Sequence, residues 1–96
     1  MKLATLRNGT RDGELVLVSR DLSKAVRASD SIAGLATLQQ LLDEWDAHVL
    51  AAERVYAELN EAADGGAARL PIFDFEPERA MAPLPRAYQW ADGSAY

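Results

Sequence analysis

Few side chains in this sequence could do chemistry, and His48 comes first because it is the only histidine. Glu44 stands four residues earlier, one helical turn away, where a carboxylate could orient the imidazole as a general base. The same spacing is a common pairing on a helix surface that has nothing to do with catalysis. We therefore expect His48 to lie half exposed beside the apolar side of a helix, without a catalytic role.

The carboxylates of the chain offer a second kind of chemistry, the binding of a cation. Metal-binding helices direct their ligands inward, often with a histidine three residues after a glutamate. Here the acids lie off the apolar positions, which predicts a solvated surface: Glu53, Glu58, Glu61 and Asp64. Asp92 precedes a glycine, where a turn is the default role. One carboxylate is a poor site for a hard divalent ion, which takes about six oxygen ligands.

Other classes of site and partner are excluded by composition. The chain has no cysteine, and its serines lack a Gly-x-Ser-x-Gly setting. Residues 37–64 carry one arginine against seven acidic residues, and the basic first third has no aromatic residue, so we expect no nucleic-acid partner. No apolar run reaches the roughly 20 residues of a membrane span, and no signal peptide is evident, so we expect a cytoplasmic protein without a membrane partner.

The elements that position these residues begin with β-structure. Three runs are predicted to form an antiparallel meander: Lys2–Leu6, Glu14–Val18 and Lys24–Ala28. The first two flank Asn8-Gly9 and Asp12-Gly13, which tolerate the positive φ angles of tight turns. Apolar residues of the second run face both ways, which predicts a strand covered on both faces.

The middle of the chain is predicted to be helical, and the whole to be an α+β fold. Thr37 and Gln40 fit a capping box, and Gly65-Gly66 supplies a stop. One apolar stripe, called here the Leu38–Leu59 stripe, recurs at spacings of four and three between these signals: Leu38, Leu42, Trp45, Val49, Ala52, Tyr56 and Leu59, widened by Leu41 and Val55. One long helix or a helical hairpin bent near residues 46–50 fits this pattern. The periodicity does not decide between the two.

The Leu38–Leu59 stripe has two possible roles. It can pack on the domain's own sheet, in which case Leu42→Ala should cost about 2–5 kcal/mol. Its spacing is also that of a heptad seam, so a stand-alone protein-interaction module remains the alternative. After the helix, Phe73 and Phe75 point the same way between prolines and could hold this connection on the core.

Four runs of residues at the two ends of the sequence carry a resemblance to a known family: Met1–Leu6, Asn8–Gly13 and Val18–Ser23 at the start, and Pro83–Tyr96 at the close. They resemble the small N-terminal domain of bacterial fumarylacetoacetate hydrolase family proteins. Relatives often carry a proline in the middle of the helical region, whereas residues 46–50 here have none, and this difference favours one long helix. The resemblance implies residues 1–82 as a small domain and 83–96 as an extended linker into a catalytic domain that is missing here. It also implies that this chain is a fragment, inactive alone, that supports the catalytic domain.

For the parent enzyme, the resemblance implies hydrolysis of a carbon–carbon bond in a small diketo acid such as fumarylacetoacetate or an acylpyruvate. In that family, carboxylates hold a magnesium, calcium or manganese ion that orients the diketo oxygens, and a histidine activates the attacking water. Asp92 resembles the family's metal-binding Asp that is followed seven residues later by this histidine. No cofactor or catalytic residue is implied for this chain itself, and the parent is expected to be a homodimer.

Overall fold

A computed structural model describes residues 1–10, 12–66 and 69–81 and the backbone of residues 86–87. Within them the chain forms five strands and three helices. The strands are β1 (Lys2–Leu6), β2 (Glu14–Val18), β3 (Lys24–Arg27), β4 (Phe73–Asp74) and β5 (Arg86–Ala87). The helices are α1 (Ala28–Ser31), α2 (Leu38–Asp43) and α3 (Trp45–Ala63), and a 3₁₀ turn covers Pro77–Arg79. The predicted α+β class is confirmed.

The strands form one antiparallel sheet in the order β4-β3-β2-β1-β5. The predicted meander forms its centre, with Leu3 opposite Leu17 and Val26 opposite Leu17 on the other side. Gly9 and Gly13 in the first turn have φ angles of +86° and +67°, as Asn-Gly and Asp-Gly pairs favour. The predicted β-structure of the first third is thus confirmed.

Strand β2 is buried on both faces, as its apolar pattern predicts. Leu15 and Leu17 join the cluster beneath the helices, whereas Val16 and Val18 join a second cluster on the opposite face. Alternation along a strand sends successive side chains to opposite faces, so a run of four apolar residues needs two covers. The helices form the first of these covers.

The helical segment is two consecutive helices rather than one helix, and the break lies at Glu44. This residue is the C-cap of α2 and the N-cap of α3, with φ −123° and ψ 43°, outside the helical region. The preference for one helix was therefore wrong, and the break lies two residues before the start of the predicted bend region, residues 46–50. The Thr37–Gln40 capping box and the stop at Gly65-Gly66 are confirmed.

The Leu38–Leu59 stripe packs on the sheet, but the break at Glu44 changes which of its residues are buried. Leu41, Ala52, Val55 and Leu59 are buried in the first cluster, and Leu38, Trp45 and Tyr56 pack against it. Leu42 is 43% exposed, so its predicted core role was wrong. A kink at Glu44 changes the helical phase, so α2 turns Leu41 inward instead of Leu42.

The second cover is the segment Phe73–Met81, which crosses the sheet from the β3 edge to the β1 edge. Phe75 and Ala80 are buried in the second cluster and Phe73 packs against it, so the predicted role of the two phenylalanines is confirmed. The Met81 N–H donates to the Thr5 carbonyl at 2.7 Å, which ties the segment to β1. β5 then pairs with β1, within the 83–96 stretch that the sequence predicts to be a linker.

No helix in the described part of the chain has the length and hydrophobicity of a membrane-spanning segment.

Gly13 allows the close approach of Met81: a Cβ at this position would lie 2.7 Å from Met81 Sδ and 2.8 Å from the Leu6 carbonyl oxygen. The two covers are thus built differently, one from helices and one from an extended segment at contact distance.

Leu41→Ala and Leu42→Ala form a matched pair that tests the helical phase. Removal of the fully buried Leu41 side chain should lower the free energy of unfolding by about 2–5 kcal/mol. Removal of the exposed Leu42 side chain should cost less than about 1 kcal/mol. Urea unfolding of the two variants measures both values, and equal losses would contradict the break at Glu44.

Candidate functional site

His48 and Glu44 are brought together as the sequence predicts. His48 Nε2 lies 3.3 Å from Glu44 Oε1 across one turn. The histidine side chain is only 12% exposed, so the expected half exposure was wrong, whereas Glu44 is 61% exposed. His48 lies close to the junction where α2 packs against α3, which shelters it more than an isolated helix would. The pair joins the helix junction to the first turns of α3.

The described residues do not fit a divalent metal. We find no group of three or more His, Asp or Glu side chains that could hold a metal ion within residues 1–10, 12–66 and 69–81. Glu53, Glu61 and Asp64 are exposed and Glu58 is half-buried, in line with the predicted solvated surface. Asp92 lies outside the described residues, so its predicted metal role stays a prediction.

A cleft of about 310 Å³ lies between the β2–β3 turn and the end of α3, and we call it the Asn60 cleft. Its lining residues are Arg20, Asp21, Asn60, Ala63 and Asp64. Asn60 is 7% exposed, and its Oδ1 accepts the Arg20 backbone N–H at 2.7 Å. Its Nδ2 is buried and has no hydrogen-bond partner among the described residues. The cleft therefore offers a hydrogen-bond donor that the fold itself leaves unused.

The wall of this cleft formed by the β2–β3 turn is held by Asp21. Asp21 Oδ1 accepts from the Ser23 Oγ at 2.7 Å, the Ser19 Oγ at 2.7 Å and the Ser23 N–H at 3.0 Å. These bonds to the charged form, those from Ser23 and Ser19 above all, lower the pKa of Asp21 to about 2. Ser19 is fully buried, so its hydroxyl–carboxylate pair is a structural support of the turn.

The same turn places Leu22 in a left-handed conformation with φ +64°. Leucine adopts this region rarely, because its Cβ then approaches the backbone closely. Leu22 is also 41% exposed, so the turn is held by the bonds to Asp21 and not by burial of its tip.

A second cleft of about 460 Å³ lies on the face of the sheet opposite the helices, and Arg27 forms its centre. Arg27 Nε donates to Glu14 Oε1 at 2.9 Å, and its guanidinium carbon stands 5.0 Å from the centre of the Phe73 ring. Arg79 pairs with Glu76 at 3.2 Å. Each of these cations is thus paired with its own carboxylate, one pair between β2 and β3 and the other within residues 76–79. The contact of Arg27 with the Phe73 ring joins β3 to β4.

Neither Asn60 nor Arg27 was among the residues singled out from the sequence. Arg27 has a weak signal: it ends a strand on the same face as Glu14, where an opposite charge can pair across strands. Asn60 follows the buried Leu59 as an uncharged polar residue next to the apolar stripe. Its partner, the Arg20 backbone, is 40 residues distant, and no local pattern indicates such a contact.

The depressed pKa of Asp21 makes the stability of the turn dependent on pH. The unfolded carboxyl titrates near its ordinary value, so the stabilisation is present above about pH 4 and is lost as the pH falls towards 2. We expect Asp21→Asn to lower the free energy of unfolding at pH 7. The difference in this free energy between the variant and the wild type should become smaller as the pH is lowered to 2.5. Urea unfolding across this range measures the difference.

Asp12→Asn, in the exposed first turn, is the control for the loss of one carboxylate. A difference between the wild type and Asp21→Asn that stays constant from pH 7 to pH 2.5 would contradict the role of the charged form.

Comparison with known proteins assigns the domain a family. The family model described as fumarylacetoacetase N-terminal domain 2 matches residues 1–86. A search of curated proteins returned no match. The matched range contains β1 to β4, the first residue of β5 and all three helices, and with them both clefts.

Proposed function

The chain belongs to the fumarylacetoacetase N-terminal domain 2 family, and on this premise we propose that it serves a hydrolase of diketo acids. The parent enzyme would cleave a carbon–carbon bond in an acylpyruvate or a similar substrate with the help of magnesium, calcium or manganese. The observation that carries this proposal is the family match over residues 1–86, which covers nearly the whole chain. The resemblance of Pro83–Tyr96 to the run that enters the catalytic domain also supports it, and most of that run lies beyond the matched range.

The role proposed for this chain is support of the catalytic domain. The family is one of N-terminal domains, which belong to larger polypeptides that carry a catalytic domain. By the resemblance, the histidine base and most of the metal ligands belong to that catalytic domain. Asp92 is the one ligand proposed for this chain, and a bound metal would hold the two keto oxygens of the substrate. The 96-residue chain alone is therefore proposed to be inactive.

The packing of the fold supports a structural role for this domain, with the chemistry in the catalytic domain. Two covered faces give the small sheet a stable core, in which Leu15–Val18 are fully buried. The His48–Glu44 pair lies at a helix junction and is used there as a local contact. The domain thus has the properties of a rigid support, and the chemistry is proposed to lie elsewhere in the polypeptide.

The alternative function, an interaction module that uses the Leu38–Leu59 stripe, is not favoured by the packing. Leu41, Ala52, Val55 and Leu59 are buried against the domain's own sheet. Of the large apolar residues in α2 and α3, only Leu42 and Leu50 are exposed, at 43% and 67%. Two separate leucines do not make a heptad seam of at least three repeats.

The proposal is tested with the polypeptide that carries both this domain and the catalytic domain that follows it. With magnesium or manganese added, this polypeptide should hydrolyse acylpyruvates, followed by the loss of diketo absorbance, and the 96-residue chain should not. Asp92→Asn should reduce the rate by about 100-fold or more, because a neutral amide is a weaker ligand than a carboxylate.

Asp12→Asn is the matched control, since it neutralises an exposed turn carboxylate at the other end of the sequence. It should leave the rate unchanged. A folded two-domain polypeptide without hydrolase activity would contradict the proposed function, and equal rates for both variants would contradict the role of Asp92 alone.

A further inference from the structure

The direction of β5 shows where the polypeptide leaves the described sheet. β5 is antiparallel to β1, with Arg86 opposite Leu3 and Ala87 opposite Lys2. Lys2 in turn stands opposite Val18, the last residue of β2. Ala87, the last described residue, therefore lies at the end of the sheet that carries the β2–β3 turn. We call it the Lys2 end.

The Asn60 cleft lies at this same end. Its residues Arg20 and Asp21 directly follow β2, and the Lys2 Nζ donates to the Arg20 carbonyl at 2.7 Å. The Arg27 cleft, in contrast, includes Arg7, Asn8 and Glu14, which lie around the opposite end of β1 and β2. Of these two clefts, only the Asn60 cleft is close to the point where the chain leaves the sheet.

The hydrogen-bonding groups of the Asn60 cleft favour a ligand that accepts a hydrogen bond. Asn60 Nδ2 is a buried amide donor without a partner among the described residues, a state that is unfavourable until an acceptor is supplied. The Oδ1 of the same side chain is fixed by the Arg20 N–H at 2.7 Å, which leaves the orientation of the amide defined. A carbonyl or carboxylate oxygen would satisfy the donor.

The charges around the cleft favour a neutral acceptor. Asp21 and Asp64 line it against one cation, Arg20. The cleft also lies at the C-terminal end of α3, where the helix dipole places partial negative charge. A carboxylate would be repelled there, whereas a backbone amide can give its carbonyl to Asn60 and its N–H to a carboxylate of the cleft.

We propose that the Asn60 cleft is the docking site for a backbone segment of the catalytic domain, held by a carbonyl oxygen on Asn60 Nδ2. This inference rests on the proposed function, which supplies the second domain. Because Nδ2 is buried, the exposed side chains of Arg20 and Asp64 move aside as the segment enters. The contact fixes the orientation of this domain where the chain passes into its neighbour.

Amide hydrogen exchange tests the docking in the 96-residue chain and in the polypeptide that carries both domains. Residues 20–23 and 60–64 should exchange at least about tenfold more slowly in the two-domain polypeptide, because docking suppresses local opening. Ala63→Gln places a longer side chain in the cleft and should abolish this slowing. Ala57→Gln, on the exposed face of the same helix, should retain it.

Asn60→Asp is the second variant, because it keeps an oxygen for the Arg20 N–H and removes the Nδ2 donor. It should also lose the slowing. Urea unfolding of each variant in the 96-residue chain first shows that it folds, and a variant that fails to fold is replaced by the other. Equal exchange in both forms of the wild type, or full slowing in folded Ala63→Gln, would overturn the docking.

The hydrolase assay separates this inference from the proposed function. A two-domain polypeptide that hydrolyses acylpyruvates without any slowing at residues 20–23 and 60–64 contradicts the docking and keeps the function. One that shows the slowing, sensitive to Ala63→Gln, but no hydrolysis contradicts the function and supports the docking between the two domains.

Discussion

The burial of β2 on both faces is the constraint from which the rest of this structure follows. Leu15, Val16, Leu17 and Val18 have no exposed surface, so four successive side chains need contacts above and below the sheet. A chain of this size buries only about 60–65% of its unfolded surface, so each face of the sheet has to be covered with few residues. The helices cover one face, and an extended segment at contact distance covers the other.

This second cover links the core to the proposed function. Phe75 and Ala80 close the face, and the bond from the Met81 N–H to the Thr5 carbonyl brings the chain to the β1 edge. From there β5 pairs with β1 and ends opposite Lys2. The segment Phe73–Met81 therefore takes part both in packing of the sheet and in bringing the chain to the β1 edge. A change in this cover would alter both the stability and the geometry of the junction.

The sequence predicts the local features of this fold well. The Asn-Gly and Asp-Gly turns, the Thr37–Gln40 capping box and the two-faced β2 are all determined by residues close together in the chain. The break at Glu44 was missed because neither glycine nor proline marks it. Because this break was not predicted, Leu42 was expected to lie in the core. In the structure Leu41 is fully buried and Leu42 is exposed.

The non-local features could not be predicted. β4 and β5 are two residues long, too short for any periodicity, and each exists only because an edge of the meander is available. Asn60 and the Arg20 backbone meet across 40 residues, and Arg27 meets Phe73 across more than that. The Asn60 cleft is therefore a product of topology, and the resemblance to a family gave no indication of it.

The account depends most directly on the crossing segment as a true cover, which amide hydrogen exchange of the wild-type chain can measure. The Phe75 N–H bonds the Ser23 carbonyl at 3.0 Å and the Met81 N–H bonds the Thr5 carbonyl at 2.7 Å. If the segment closes the face, both amides exchange as slowly as those of the β1–β2 ladder. Exchange of Phe75 and Met81 at the rates of an open loop, beside a protected ladder, would contradict it.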